Sequence, residues 1–235
     1  MRLHFLSGLL ALFVATPVLA DFSGQGEFGL VLARGNSETE TGNASFDLIW
    51  KRGRWGNETN LGAVYARDDG ETSANRFVVS NKTDFDLSEV DYLYGALRYD
   101  RDEFSSFRFQ ASLAAGYGRY LLDGERHRLK VEGGPGFRIS KPRAEDDDDE
   151  NAILRGLIDY RWLITDNTRL TNRFLIEAGS DNTFMESAFG LTVAMNDRVS
   201  LKTGVSVRHN TDVDAESKNT DILTTVNLVY NFGEE

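Results

Sequence analysis

Few residues of this chain have the type and spacing for catalysis. A hydrolytic centre would need a nucleophile, a histidine beside it and a group to orient that histidine. Beyond position 20 the histidines are His127 and His209. Ser206 lies three residues before His209. On an extended strand, residues three apart point to opposite faces, so the two cannot pair directly. His209 with Asp212 and Asp214 would make an acid–histidine site, but a polar strand end running into a loop accounts for the same residues. His127 stands between Arg126 and Arg128 and reads as a solvated turn residue. The GGPG stretch at 133–136 lacks the following helix and the Lys-Ser/Thr pair of a phosphate loop. With no cysteine in the chain, thiol catalysis, disulfides and cysteine metal sites are excluded. No catalytic residue, cofactor or metal site is therefore assigned, and the protein is expected not to be an enzyme.

The remaining charges follow a different rule, alternating with apolar side chains. Lys130, Glu132 and Arg138 oppose Leu129, Val131, Phe137 and Ile139. Arg155, Asp159 and Arg161 oppose Leu154, Ile158, Tyr160, Trp162 and Ile164. Arg173 and Glu177 oppose Leu170, Phe174 and Ile176, while Glu186 opposes Met185, Phe189, Leu191 and Val193. Lys202 and Arg208 oppose Val199, Leu201, Val205 and Val207. A strand sends alternate side chains to opposite faces, so each segment has one apolar face and one charged face.

The same period runs through the rest of the chain. It predicts a first strand over 22–33, then strands placing Phe46, Leu48 and Trp50; Leu61, Ala63 and Tyr65; and Phe77, Val79 and Phe85 on the apolar side. Strand 5, over 92–99, is ambiguous because tyrosines fall on both faces; Leu93, Leu97 and Tyr99 are assigned outward. Strand 6 sets Phe107, Phe109, Leu113 and Tyr117 against Arg108, Gln110, Ser112 and Arg119. Pro135 in strand 7 predicts a bulge or irregular pairing. Asp166-Asn167 and Asn196-Asp197 read as tight turns, and 141–150 and 211–218 as loops.

Twelve strands result, with ten or fourteen as alternatives. A soluble sandwich would also alternate. The continuity of the pattern, strands of about 9–11 residues and aromatic strand ends (Trp50, Phe85, Tyr117, Trp162, Phe232) favour an all-β antiparallel transmembrane barrel with its apolar face toward lipid. Residues 1–20 have a basic start at Arg2, a short apolar run and Ala20 before Asp21, so they read as a removed secretory signal and 21–235 as the barrel. The net charge of −11, more negative by one without Arg2, disfavours nucleic-acid binding.

The closing stretch, TDILTTVNLVYNF at 220–232, places Val226, Leu228, Tyr230 and Phe232 on its apolar face. It resembles the C-terminal signal by which bacterial outer-membrane barrels reach their assembly machinery, although Gly233, Glu234 and Glu235 follow the aromatic. Together with GNSETETGN (35–43), YDRDEF (99–104), GYGRYLL (116–122) and LKVEGGPGFR (129–138), the mature chain is similar to a family of salt-induced outer-membrane proteins, a domain family of unknown function. The resemblance implies an outer-membrane β-barrel and an osmotic link, with no catalytic residues to carry over.

The expected function is a monomeric, narrow passive channel for ions or small solutes. Its lumen would be lined by Lys130, Glu132, Arg138, Arg155, Asp159, Arg161, Arg173, Glu177, Glu186, Lys202 and Arg208. The run Asp146, Asp147, Asp148, Asp149 and Glu150 would form an acidic extracellular loop. It lacks the spacing and glycine of an EF-hand and reads as solvated, near the cations that surround lipopolysaccharide. Outer-membrane lipid, lipopolysaccharide and the assembly machinery are the expected partners. A closed structural or envelope-interaction barrel is the alternative, with the same charges pairing to plug the lumen; an outer-membrane hydrolase is the third reading.

Overall fold

A computed structural model describes residues 21–33, 39–143, 147–213 and 217–233. The described residues form twelve antiparallel strands: β1 (Asp21–Ala33), β2 (Thr39–Arg52), β3 (Trp55–Asp68), β4 (Glu71–Asp86), β5 (Asp91–Asp102), β6 (Phe107–Asp123), β7 (His127–Pro142), β8 (Asp149–Thr165), β9 (Thr168–Gly179), β10 (Thr183–Ala194), β11 (Val199–Asn210) and β12 (Thr220–Gly233). Each pairs with its neighbour in sequence, and β1 pairs with β12, so the sheet closes and leaves no edge. Closure matters in lipid, where an unpaired backbone group has no water to turn to.

The alternation read from the sequence sets the two faces. Leu113, Leu154 and Ile222 on the outside are 60, 64 and 68% exposed, against 6% for the inward Glu132. Aromatic side chains gather at the end where the even-numbered strands finish: Trp55 packs against Phe85 at 4.9 Å, and His127 stacks on Tyr160 and Trp162. Tyr99 and Phe109 stack near the other end. Such belts mark the two lipid–water interfaces of a spanning barrel. One polar patch, Asn57, Thr59, Asn81 and Thr83, lies on the outward face. It closes on itself through side-chain bonds of 2.8–3.2 Å, which satisfies its amides without water.

Several expectations are corrected. The strands run 12–17 residues, longer than a membrane crossing requires, because pairing continues past the hydrocarbon layer into the connections. Lys141 and Pro142 accordingly belong to β7, and Asp149 and Glu150 to β8. Phe107 faces the lumen: a register shift between Phe107 and Phe109 sets it opposite inward-facing Pro142. Arg119 shares the parity of Tyr117 and lies outside at the rim, 3.4 Å from Asp91. Pro135 causes irregular pairing but no bulge. It keeps its register with Leu154, while the β6–β7 ladder is interrupted between Ala114↔Gly136 and Tyr117↔Gly133 without a shift. Lacking an N–H, proline cannot supply that rung. Leu93 and Leu97 do point outward, leaving Tyr92 and Tyr94 buried inside.

The connections at 53–54, 87–90, 124–126, 166–167 and 195–198 lie at the aromatic-rich end with the described chain termini. Those at 69–70, 103–106, 143–148, 180–182 and 211–219 lie at the other. Short turns face the periplasm and longer loops the exterior in such barrels. The two longest described connections, 143–148 and 211–219, lie at the end assigned to the exterior, while 69–70, 103–106 and 180–182 are no longer than 87–90 and 195–198 at the other.

Candidate functional site

The inward faces build two charge clusters at different heights. Nearer the periplasmic end, Glu132 of β7 accepts from Lys82 Nζ at 2.9 Å, Tyr92 Oη at 3.0 Å and Arg155 Nη1 at 2.8 Å. Lys82 also lies 3.6 Å from Glu58 and 3.5 Å from Asp84, and over the Tyr92 ring at 5.2 Å. Lys130 adds Glu58 at 3.1 Å and Asp159 at 3.9 Å. Glu58 and Lys130 belong to β3 and β7, which are not neighbours in the sheet, so these bonds cross the lumen.

The upper cluster spans the barrel more completely. Asp100 of β5 accepts from Arg76 Nε and Nη2 at 3.1 and 2.9 Å, from Arg98 Nη2 at 3.1 Å and from Arg208 Nη2 at 2.8 Å. Arg208 reaches Asp102 at 3.1 Å, and Glu186 receives Arg98 at 2.8 Å. Arg76 of β4 lies 3.5 Å from Glu186 of β10. Five strands separate β4 from β10 in either direction, so these side chains join opposite walls. Arg98 and Arg208 also lie 5.2 and 5.5 Å from the Phe184 ring centre. Three arginines meet three carboxylates here, and the charges balance.

The lumen is filled unevenly. On one side Leu157, Leu175 and Phe184 form an apolar core, beside the bulky Tyr94 and Ile153. On the other, a cavity of about 190 Å³ is lined by Asn43, Ser45, Asn60, Gly62, Arg76 and Glu186, among others. The open space is thus off-centre and of mixed character, since Val64, Val78 and Leu223 line it beside the polar groups, with the upper lattice as one wall.

Among the other residues singled out from sequence, Arg138 is fully buried and donates to the carbonyls of Glu177 and Asn182, while Glu177 accepts from Ser112 at 2.8 Å. Lys202 binds Glu27 at 2.5 Å. Arg161 faces inward near the periplasmic rim, and Arg173 is exposed to the lumen. Asp147 and Asp148 lie in the 143–148 connection, with Asp148 3.0 Å from Lys141; Asp146 lies outside the described residues. Val226, Leu228, Tyr230 and Phe232 face outward, with Phe232 stacked on Phe46 at 5.6 Å. His209 bonds Thr220 at 2.9 Å on the outer face while Ser206 faces the lumen, so they form no hydrolytic pair. The site choice missed Glu27, Glu58, Arg76, Lys82, Arg98, Asp100 and Asp102. Their inward parity was the available signal, and in strand 5 the tyrosines on both faces obscured it.

A closed antiparallel barrel with a lipid-facing apolar surface and a charged interior defines an outer-membrane type of β-barrel. Residues 26–232 match the family described as "Protein of unknown function, DUF481", and the chain belongs to that family. It is 27% identical over 215 residues to the uncharacterized protein YdiY of Escherichia coli K12, covering 89% of this chain and 82% of that one. Its fold is similar to that of the NanC porin, with a TM-score of 0.53 at 9% identity, covering 91% of this chain and 99% of the porin. It is likewise similar to an outer membrane channel from Pseudomonas putida F1, with a TM-score of 0.51 at 13% identity, covering 92 and 96%.

Proposed function

We propose that the protein is a narrow passive channel of the outer membrane for ions or small solutes. The observation that carries this reading is the off-centre cavity beside the charged trans-lumen lattice, lined by Asn43, Ser45 and Asn60 together with Val64, Val78 and Leu223. Water and small ions move past the Asn43 and Asn60 amides and the Ser45 hydroxyl, while the paired arginines and carboxylates bound the passage. Acidic residues at the outer mouth, Asp147 and Asp148 among them, enrich cations locally at low salt. Fold similarity to a porin and a channel is compatible with this reading.

In the same proposal, the chain is exported through residues 1–20, recognised by the barrel assembly machinery through Val226, Leu228, Tyr230 and Phe232, and works as a monomer among lipid and lipopolysaccharide. It binds no nucleic acid and catalyses no reaction. Its link to salt or osmotic conditions rests on the resemblance to salt-induced proteins and is tested by transcript level across a NaCl series.

The functional test is single-channel recording of the refolded mature protein in a planar bilayer. Discrete steps that scale with salt are expected. A silent bilayer, with folding verified by heat-modifiable migration, overturns the channel and favours a closed structural barrel. The buried Glu132 network and the Leu157–Leu175–Phe184 core would suit that second reading.

A further inference from the structure

No strand is left as an edge, yet the ladder that closes the sheet is partial. β1 and β12 pair from Ser23↔Gly233 to Phe28↔Leu228, and among the described residues the ladder stops there. β1 stays paired with β2 as far as Ala33↔Thr39, and β12 with β11 as far as His209↔Thr220, so both strands remain extended beside the gap. At a rise of about 3.4 Å per residue and a tilt of about 40°, the gap begins roughly 13 Å above the Ser23 rung. That is near the middle of an apolar band about 25 Å tall, so the gap faces the outer leaflet. Its lipid-side flanks, Leu30 of β1 with Ile222 and Val226 of β12, are apolar and exposed.

Polar side chains mark the floor of the gap. Asn43 of β2 reaches past Gly29 of β1 and donates to Asn227 of β12 at 2.9 Å, and Asn227 donates to Glu27 at 3.0 Å. A Cβ at Gly29 would strike both amide oxygens, so glycine is what lets this bridge cross β1. The off-centre cavity lies inside the gap, lined by Asn43 and Leu223 from the two strands that flank β1. Its wall is divided. Val64, Val78 and Leu223 are apolar, whereas Ser45 Oγ and Asn60 Oδ1 have no hydrogen-bond partner among the described residues. Arg76 and Arg98 are paired with Asp100 and Glu186, so the cavity offers little net charge. An uncharged hydroxyl head on an apolar chain fits that wall: it donates to Asn60 Oδ1 and accepts from Ser45, while the chain lies along the apolar side. In hydrocarbon, the unpaired backbone groups of the gap also need polar partners, which a passing hydroxyl supplies.

We propose that the unpaired upper part of the β1–β12 seam is a lateral passage between this cavity and the outer leaflet, for small single-chain amphiphiles with a hydroxyl head. It goes beyond the axial channel in both route and solute class. It does not depend on conduction, since the seam opens through the wall of the barrel and not along its axis.

The test is photolabelling of the refolded mature protein in liposomes with a diazirine-bearing octanol, which partitions into the bilayer, the labelled residues being read by peptide mass spectrometry. Labelling of the inward Val64 and Val78 is expected. The chain has no cysteine, so Leu30→Cys/Val226→Cys, opposite one another when the β1–β12 register is continued, lets a disulfide lock the seam. Oxidation should remove the labelling of Val64 and Val78, and reduction should restore it. Val207→Cys/Ile222→Cys, opposite one another on the continuous β11–β12 ladder, is the control whose oxidation leaves that labelling unchanged. Should the seam disulfide not form, Leu223→Trp, which fills the seam side of the cavity, decides by the same loss. Absence of interior labelling, or equal labelling with the seam locked or filled, overturns the passage. A barrel labelled inside that passes no current refutes the channel alone, and one that conducts without interior labelling refutes the lateral passage alone.

Discussion

Asp100→Asn separates a dry charge lattice from a solvated one. Asp100 is 5% exposed and takes four hydrogen bonds, from Arg76 (two), Arg98 and Arg208. Removing one partner from a buried ion pair costs about 3–5 kcal/mol, because the remaining charge is stranded. Asparagine keeps the volume and one acceptor, and Asp102 and Glu186 still face the arginines, so the lower end applies, about 3 kcal/mol. That corresponds to a shift of roughly a hundredfold in the folding equilibrium. The change also leaves the three arginines with two carboxylates, placing a net positive charge in the lattice that crosses the lumen. Two assays read the two effects. Urea unfolding in micelles gives the stability, and the reversal potential across a KCl gradient should move toward anion preference. A loss below about 1 kcal/mol with unchanged selectivity would refute the reasoning, since that is the behaviour of water-screened surface pairs.

Glu132→Gln should destabilise by a similar amount, about 3 kcal/mol, in the same unfolding assay. Lys82→Met/Glu132→Gln should lose less than the two single changes together, because the paired loss strands fewer charges. Neutralising Asp147 and Asp148 should lower cation preference at low salt but not at high salt; an unchanged reversal potential at low salt sinks the proposed role of the outer mouth. Phe232→Ala should reduce assembled barrel in the outer membrane, measured by heat-modifiable migration of membrane fractions, and full assembly would remove the residue from the signal. His209→Ala should leave conductance unaltered, as the ring bonds Thr220 on the outer face, away from the lumen.

How much could be read from sequence depends on the kind of feature. The order and number of strands followed from period-two alternation, since lipid forbids charge on one face of every spanning strand. The Leu154–Ile158–Trp162 series reads the same way in both descriptions. Strand 5 was weaker because Tyr92 and Tyr94 are apolar enough for either side; only the outward placement of Leu93 and Leu97 decides between them. Phe107 was misplaced because a one-residue register shift reverses every side chain beyond it, and no local signal marks that shift.

The sequence by itself determined which side chains turn inward, because strand geometry fixes that one residue at a time. It therefore marked Lys130, Glu132, Arg155 and Arg208 as interior charges. Only the tertiary structure decided which charges meet: Arg208 with Asp100, Arg76 with Glu186, Lys82 with Glu132. Those partners lie on strands that share no hydrogen bonds, brought together by closure of the barrel and the reach of long side chains. Local periodicity carries no information about distances across a lumen. The same holds for the off-centre cavity: Leu157, Leu175 and Phe184 occupy one side, and the small residues of β2 and β3 face open space on the other.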